Sequence, residues 1–263
     1  MQTIEVNGLS EYAAIVSKKA EELKPVWFRG VSDAAAHRLT PSLYRHPQKT
    51  EWDELKELEL TLMATFRDRA PPFAQGVPSD ATELLFFMQH HGAPTRLLDV
   101  SENPFTALFF ALERALWEQD ANAVDAAVWM IDPIELNKMA FANNDGSDRI
   151  LSHQDDLLNA YKPEGPAKTS GKLPVAMYGV HNSRRIVAQR GVFLLFGTST
   201  AAMDETAQLT DHSTLLTKII IKANAKKDIA KALFSMGVTD SVIYPDLDGL
   251  GREIKSQYEF WRR

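Results

Sequence analysis

The spacing of apolar residues along the chain predicts alternating helices and strands. Helices are expected where apolar residues recur every three to four positions and Pro or Gly marks an end, at 9–24, 51–69, about 81–91, from Asn103-Pro104 onward, 225–236 and near the C-terminus. Short apolar runs predict strands at 26–28, 125–131, 175–180, 192–196, 215–222 and 241–244.

This order of elements predicts one α+β domain covering residues 1–263. Helices dominate up to about residue 118, and strands from 124 onward, joined by 26–28, are expected to build a mixed β-sheet on which the helical N-terminal half packs. Residues 142–173 are rich in Gly, Pro and Asn, so we expect a mobile insertion or lid that borders the functional site.

A polar run at 89–104 lies between two strongly apolar segments, 84–88 and 105–112. Polar groups between buried segments must be paired, because unpaired desolvation destabilises the fold. Two explanations stay open from the residues alone. Arg96 and Asp99 form a structural ion pair, or the run builds a ligand site.

Several polar side chains stand at the ends of apolar elements, where such residues commonly gather in one cleft: Arg29, Arg96, Asp99, Arg185, Gln189, Asp246 and Asp248. A guanidinium binds phosphate or carboxylate through a two-point fork, so three neighbouring arginines indicate an anionic ligand. Separate ion pairs with the aspartates are the alternative. We predict that Arg29, Arg96 and Asp99 share one cleft.

Composition narrows the class of protein. The chain is 44% apolar and 24% charged, as in ordinary globular proteins, and its net charge of −6 argues against broad duplex binding. It has no cysteine, which excludes disulfides and thiolate chemistry. The first residues do not form a secretory signal, and no apolar stretch approaches the roughly 18 residues of a membrane span, so we expect a cytoplasmic protein.

The sequence carries no familiar phosphate-loop, Rossmann, zinc-protease or serine-hydrolase motif. His90 and His91 are adjacent, a poor spacing for metal ligands on a helix, and no metal is expected. The run Asp246-Leu247-Asp248-Gly249 is similar to part of a calcium loop but lacks the later ligands. It is predicted to cap a helix.

Four sequence blocks, in order, resemble the FRG domain family. Trp27-Phe28-Arg29-Gly30 resembles the Phe-Arg-Gly motif that names the family. The central block at 91–99, with the helix at 103–111 that follows it, resembles the family's central motif, and blocks at 185–193 and 244–250 resemble its later motifs. The resemblance spans about residues 20–255.

The order of these blocks is also similar to the layout of ADP-ribosyltransferase-like folds. By that likeness Arg29 grips the pyrophosphate of NAD, and Arg185 adds a ligand contact. The pocket is lined by Thr95, Arg96, Asp99 and Ser101, and Gln189 or Glu253, late in the chain, orients the acceptor or the ribose hydroxyl. The resemblance implies NAD-dependent ADP-ribosyl transfer or NAD cleavage, with Asp99 among the catalytic residues, in a toxin or phage-defence setting. A protein or RNA target is expected.

Two other functions remain compatible with the residues. The chain is alternatively a non-catalytic module that binds or senses a nucleotide, another phosphorylated small molecule or RNA, with Trp27, Tyr44 and Trp52 stacking on bases. A metal-dependent nuclease using His91, Asp99 and Asp246 is the third hypothesis.

Overall fold

The fold is a mixed β-sheet with helices on both faces. The computed structural model describes residues 1–23, 25–74, 76–116, 123–141, 147–163, 171–180, 183–209, 215–258 and 260. The strands are β1 (Gln2–Val6), β2 (Trp27–Val31), β3 (Leu97–Ser101), β4 (Ala126–Ile131), β5 (Val175–Met177), β6 (Gly191–Leu195) and β7 (Leu216–Ile221). In the described residues their order across the sheet is β1-β7-β4-β2-β3-β6-β5. The β1–β7 pair is parallel and the other pairs are antiparallel.

The helices that pack on this sheet come from both halves of the chain. They are α1 (Leu9–Glu22), α2 (Trp52–Arg69), α3 (Ala81–His90), α4 (Pro104–Leu112), α5 (Pro133–Ala140), α6 (Arg184–Gln189), α7 (Met203–Leu209), α8 (Lys226–Ser235), α9 (Asp240–Ile243) and α10 (Leu247–Gln257). Short 3-10 turns lie at Leu43–Arg45, Asp156–Tyr161 and Ala223–Ala225.

The sheet separates the core into clusters. On one face, residues of α1, α4 and α8 cover β1, β7, β4 and β2, while α3 and its neighbours cover β3, β6 and β5. On the other face, α2, α5 and the 3-10 turn at Leu43–Arg45 pack on the alternate strand residues. Successive strand residues point to opposite faces, so each strand contributes to both layers.

The predicted α+β fold is confirmed, and most helices lie where the periodicity placed them. Asp80 caps α3 by accepting hydrogen bonds from the backbone N–H groups of Thr82 and Glu83, and Asn103 caps α4 in the same way. The end expected for α8 is also correct, since Gly237 adopts a positive φ of 83° just beyond it.

Two predictions of secondary structure were wrong. Residues 241–244 do not form a strand, because Asp240–Ile243 is helix α9, whose first turn is held by the Glu253 carboxylate through Thr239 and Ser241. Strands β1 and β3 lie in the half expected to be helical, so the sheet is built from the whole chain. Helix α6 had not been predicted.

The segment expected to be a mobile lid lies partly outside the described residues, at 142–146 and 164–170. Within 147–163, Leu151, Leu158 and Tyr161 are buried in the cluster that covers β3, β6 and β5. This part of the segment therefore contributes to the core, and the mobility of the remainder stays a prediction. In the parts of the chain that the structure describes, no helix has the length and apolar character of a membrane span.

Candidate functional site

A pocket of about 270 Å³ opens between the two core clusters of one face of the sheet and is lined by residues of β2, β3 and β6. Helices α3, α4 and α6 form its walls. The polar side chains that line it are Arg29, Gln89, His90, Asp99, Ser101, Arg185 and Gln189. Its apolar lining includes Phe28, Phe86, Phe110, Ile186 and Phe193. Asp99 is the one carboxylate among these lining residues.

The carboxylate of Asp99 is held in place by a chain of hydrogen bonds. The Nε2 of Gln89 donates to the Oδ2 of Asp99 at 2.5 Å, and the Oε1 of Gln89 accepts from the Oγ1 of Thr95 at 2.5 Å. Thr95 Oγ1 accepts in turn from the backbone N–H of Leu97 at 3.1 Å. Thr95 therefore positions Gln89, which positions Asp99.

Arg29 occupies a gap in the sheet. Strands β2 and β3 pair only at Phe28 and Ser101, whereas β2 pairs with β4 over its full length. The next residue of β2, Arg29, does not pair with β3 through its backbone. Instead its side-chain Nη1 donates to the backbone carbonyl of Asp99. The Nε of Arg29 is buried and has no hydrogen-bond partner.

The side chains of Arg29 and Asp99 leave the sheet on opposite faces. Arg29 is paired with Trp129, which belongs to the cluster under α2, whereas Asp99 is paired with Phe193 on the pocket face. A continuous sheet would keep the two side chains apart. Both line one pocket because the strands separate at this point and the guanidinium lies in the gap.

Gly30 brings helix α4 directly onto strand β2. A Cβ at position 30 would lie 1.8 Å from the carbonyl oxygen of Ala107 and 2.7 Å from the N of Ala111. Only glycine allows this approach, and the small side chains of Ala107 and Ala111 contribute to it. The Arg-Gly pair thus places a cation in the gap and fixes the wall formed by α4.

Asp99 is exposed to solvent through the mouth of the pocket. Desolvation raises the pKa of Asp99 above its ordinary value, and the nearby charge of Arg29 and the hydrogen bond from Gln89 oppose this shift. Desolvation, together with His91 and Arg185, lowers the pKa of His90. At neutral pH the imidazole of His90 is therefore neutral.

The rim of the pocket is joined to the C-terminal helices. The guanidinium of Arg185 lies over the ring of Tyr244, 4.8 Å from its centroid, and that of Arg252 lies 4.4 Å from the same centroid. Gln189 Nε2 donates to the carbonyl of Ile243 at 3.1 Å. Arg185 and Gln189 on α6 are thus tethered to the end of α9 and to α10.

The pocket brings together five of the residues predicted from sequence: Arg29, Asp99, Ser101, Arg185 and Gln189. The role expected for Ser101 differs from the one observed, because its Oγ donates to the carbonyl of Gln189 at 2.7 Å and accepts from the N–H of Asn103. It is buried and ties β3 to the end of α6.

Three predicted site residues do not line the pocket. Arg96 is 1% exposed and forms an ion pair with Glu59 of α2, with Nε and Oε1 3.1 Å apart, rather than with Asp99. It lies on the face of β3 opposite Asp99, so the prediction of a cleft shared by Arg29, Arg96 and Asp99 was wrong for Arg96. Thr95 is fully buried behind Gln89, and Glu253 binds the first turn of α9.

The other hypotheses used residues that the fold separates. His91 packs against Phe87 beside α2, and Asp246 caps α10. In the described part of the chain, no three His, Cys, Asp or Glu side chains are arranged to hold a metal ion. Trp27 and Tyr44 are buried in the core and are not available to stack on bases.

Sequence reasoning missed Gln89 and His90 as lining residues. Both lie in the last turn of α3, three and four positions after Phe86, which also lines the pocket. Residues three and four positions apart on a helix share a face, so Gln89 and His90 face the pocket because Phe86 does.

A family model supports the likeness drawn from the sequence. The model of the FRG domain matches residues 24–120. That range includes Arg29, Gln89 and Asp99, whereas Arg185 and Gln189 lie beyond it. A search of the curated proteins and a search of the solved structures each found no match.

Proposed function

We propose, for a chain that carries an FRG domain at residues 24–120, that the pocket around Asp99 binds a nucleotide and acts on NAD. The reaction proposed is transfer of the ADP-ribosyl group to an acceptor, or to water. The observation that carries this proposal is the single carboxylate of Asp99, oriented by Gln89 and facing a pocket with guanidinium groups and phenyl rings.

Ligand binding follows from the chemistry of the walls. Arg29 and Arg185 supply charge-assisted hydrogen bonds to phosphate oxygens. The half-buried ring of Phe110 gives an aromatic base an apolar surface on which to lie. A neutral His90 at the rim donates or accepts one hydrogen bond.

The proposed chemistry places Asp99 beside the ribose of the nicotinamide. As the C–N glycosidic bond breaks, nicotinamide leaves with the bonding electron pair, and positive charge develops at the anomeric carbon. A carboxylate fixed beside the anomeric carbon stabilises that charge. The acceptor or water then bonds to the anomeric carbon and releases its proton to solvent at the open mouth of the pocket. Gln89 and Thr95 hold the carboxylate so that little reorganisation is needed.

One observation favours a second candidate, a binding module without turnover. The amide of Gln189 was expected to orient the acceptor, but its Nε2 is bonded to the carbonyl of Ile243. Glu253, the other residue expected in that role, lies outside the pocket. A pocket without such a group still recognises a nucleotide through its arginines.

Incubation of the protein with NAD, followed by chromatographic detection of nicotinamide, tests the proposal. Asp99→Asn keeps the size of the side chain and removes its charge. We expect kcat to fall about 10²- to 10³-fold, the usual effect of removing one preorganised electrostatic group, with the Kd for NAD nearly unchanged. Asp53→Asn, an exposed substitution on α2, is the matched control.

The outcomes separate the two candidates. Nicotinamide release by the wild type that persists in Asp99→Asn would contradict the assigned chemistry. Calorimetric binding of NAD without any release would favour the binding module, and the absence of both binding and release would refute the proposal.

A further inference from the structure

A second pocket, of about 320 Å³, adjoins the first across Arg29. Both pockets are lined by Arg29, Gly30 and Phe110, so the two cavities form one groove with Arg29 at its middle. The other residues of the second pocket include His37, Arg38 and Arg45. No acidic side chain lines it among the described residues.

The cations of this second pocket differ in how they are paired. Arg38 is neutralised, because its guanidinium contacts Asp204 at 2.5 Å and Glu205 at 2.9 Å. In the described part of the chain, neither Arg29 nor Arg45 has a carboxylate within 4 Å. Arg29 donates only to a backbone carbonyl, and its buried Nε has no partner.

Arg29 and Arg45 lie near enough to repel each other. Burial lowers the pKa of Arg29, the charge of Asp99 opposes this shift, and the charge of Arg45 adds to it, although the guanidinium stays protonated at neutral pH. The carboxylate of Asp99 offsets part of the charge of Arg29, whereas Arg45 has no carboxylate within 4 Å in the described residues, so the empty fold keeps some repulsion between the two cations. An anion between them removes that repulsion and gains bonds from both guanidinium groups.

We propose that Arg29 and Arg45 form a clamp for a diphosphate group, and that the second pocket holds the half of the ligand beyond it. This inference rests on the proposed function for the identity of the first half, which lies beside Asp99. The class of ligand is then a diphosphate-bridged compound, with one part on each side of Arg29.

The sizes of the two cavities agree with a ligand of two parts. Small-molecule pockets commonly range from about 300 to 1,000 Å³. The pocket around Asp99 alone is just below that range, whereas the groove formed by both pockets is well within it. A mononucleotide would leave the second pocket and Arg45 unused.

Calorimetric titration with inorganic pyrophosphate and inorganic phosphate, at fixed ionic strength, tests the clamp without any assumption about NAD. Wild type is expected to bind pyrophosphate about tenfold or more tightly than phosphate. Arg45→Ala should weaken pyrophosphate binding about tenfold to a hundredfold, the loss of one or two charge-assisted hydrogen bonds. Arg45 is exposed, so its removal should leave the fold intact, which a thermal melt checks.

Two further variants sharpen the test. Arg45→Lys keeps the charge but not the fork, and should retain part of the affinity. Arg67→Ala removes an exposed arginine of α2 that lines neither pocket, and should leave both affinities unchanged. Equal binding of phosphate and pyrophosphate by wild type, or unchanged pyrophosphate affinity in Arg45→Ala, would overturn the clamp.

Failure of the clamp and failure of the proposed function give different results. If the pyrophosphate titrations behave as expected but NAD is not cleaved, the clamp stands and the enzymatic proposal fails. If wild type and Arg45→Ala cleave NAD with the same KM, the enzymatic proposal stands and the clamp is wrong.

Discussion

Breaking the buried ion pair between Arg96 and Glu59 is expected to destabilise the fold without affecting the pocket. Arg96→Met is the perturbation, because it keeps the apolar stem and removes the guanidinium. Arg96 and Glu59 are each 1% exposed. The guanidinium of Arg96 also donates to the carbonyl of Tyr161 and lies 5.5 Å from the ring centroid of Trp52.

The magnitude follows from what the substitution leaves behind. The oxygens of Glu59 make no hydrogen bond in the described residues apart from the ion pair. Removing one partner of a buried pair costs about 3–5 kcal/mol, because the other charge is left in the interior. That is a large share of a typical free energy of unfolding of about 5–15 kcal/mol.

Urea denaturation gives the free energy of unfolding for each variant. Arg96→Met should lose about 3–5 kcal/mol, whereas Glu59→Leu combined with Arg96→Met should recover much of it, since apolar replacement of both partners is often neutral or stabilising. The double variant should bind pyrophosphate with wild-type affinity because neither residue lines the groove.

The loss in Arg96→Met should depend on pH. Desolvation already raises the pKa of Glu59, and removal of Arg96 raises it further. A carboxyl whose pKa is higher in the native state takes up a proton on folding, so the free energy of unfolding rises as pH falls toward the unfolded pKa. The destabilisation should therefore be larger at about pH 8 than at about pH 5. A loss below about 0.5 kcal/mol at both pH values, or a tenfold loss of pyrophosphate affinity in the double variant, would refute this account.

Three further predictions concern the pocket and its walls. Gly30→Ala should lower the free energy of unfolding in urea by at least about 3 kcal/mol, because the added Cβ meets the backbone of α4. Gly251→Ala, whose Cβ meets nothing within 4 Å, should instead stabilise α10 by about 0.5–1 kcal/mol, and equal effects of the two variants would contradict the close approach at Gly30. Thr95→Val should lower the kcat for NAD more than it changes the Kd, because it releases Gln89, and a change in Kd alone would argue against this positioning role. In a plot of kcat against pH, the decrease on the acid side should occur above pH 3.8, the ordinary pKa of an aspartate, because kcat falls as Asp99 is protonated and its pKa is raised. Asp99→Asn should lose this acid-side decrease.

The helices were predictable because their signals are local. Caps such as Asp80 and Asn103, and the apolar stripe of α2, lie within a few residues of the structure they determine. Helix α9 was not predictable in this way, since a run of four residues fits either period. Its first turn depends on Glu253, which arrives from the next helix.

The candidate site was predictable only in part for a geometric reason. Arg96 and Asp99 are separated by three positions, and an odd separation on a strand places two side chains on opposite faces. Recognising 97–101 as strand β3 would have removed Arg96 from the site. Arg29 breaks the same rule, since its guanidinium lies in a gap between strands. That gap depends on how β2 and β3, which are far apart in the sequence, separate in the sheet, and no local sequence pattern predicts it.

Arg185 and Arg252 both stack on the ring of Tyr244, so the pocket is connected to the last helix through one shared ring. If the proposed ligand binds, its anion and the ring of Tyr244 compete for Arg185. We therefore expect a ligand that draws Arg185 off Tyr244 to loosen the contact with α10, and, by thermodynamic reciprocity, a change that strengthens this contact to weaken ligand binding by the same factor. The C-terminal helix α10 is therefore expected to influence ligand binding although it lies outside the pocket.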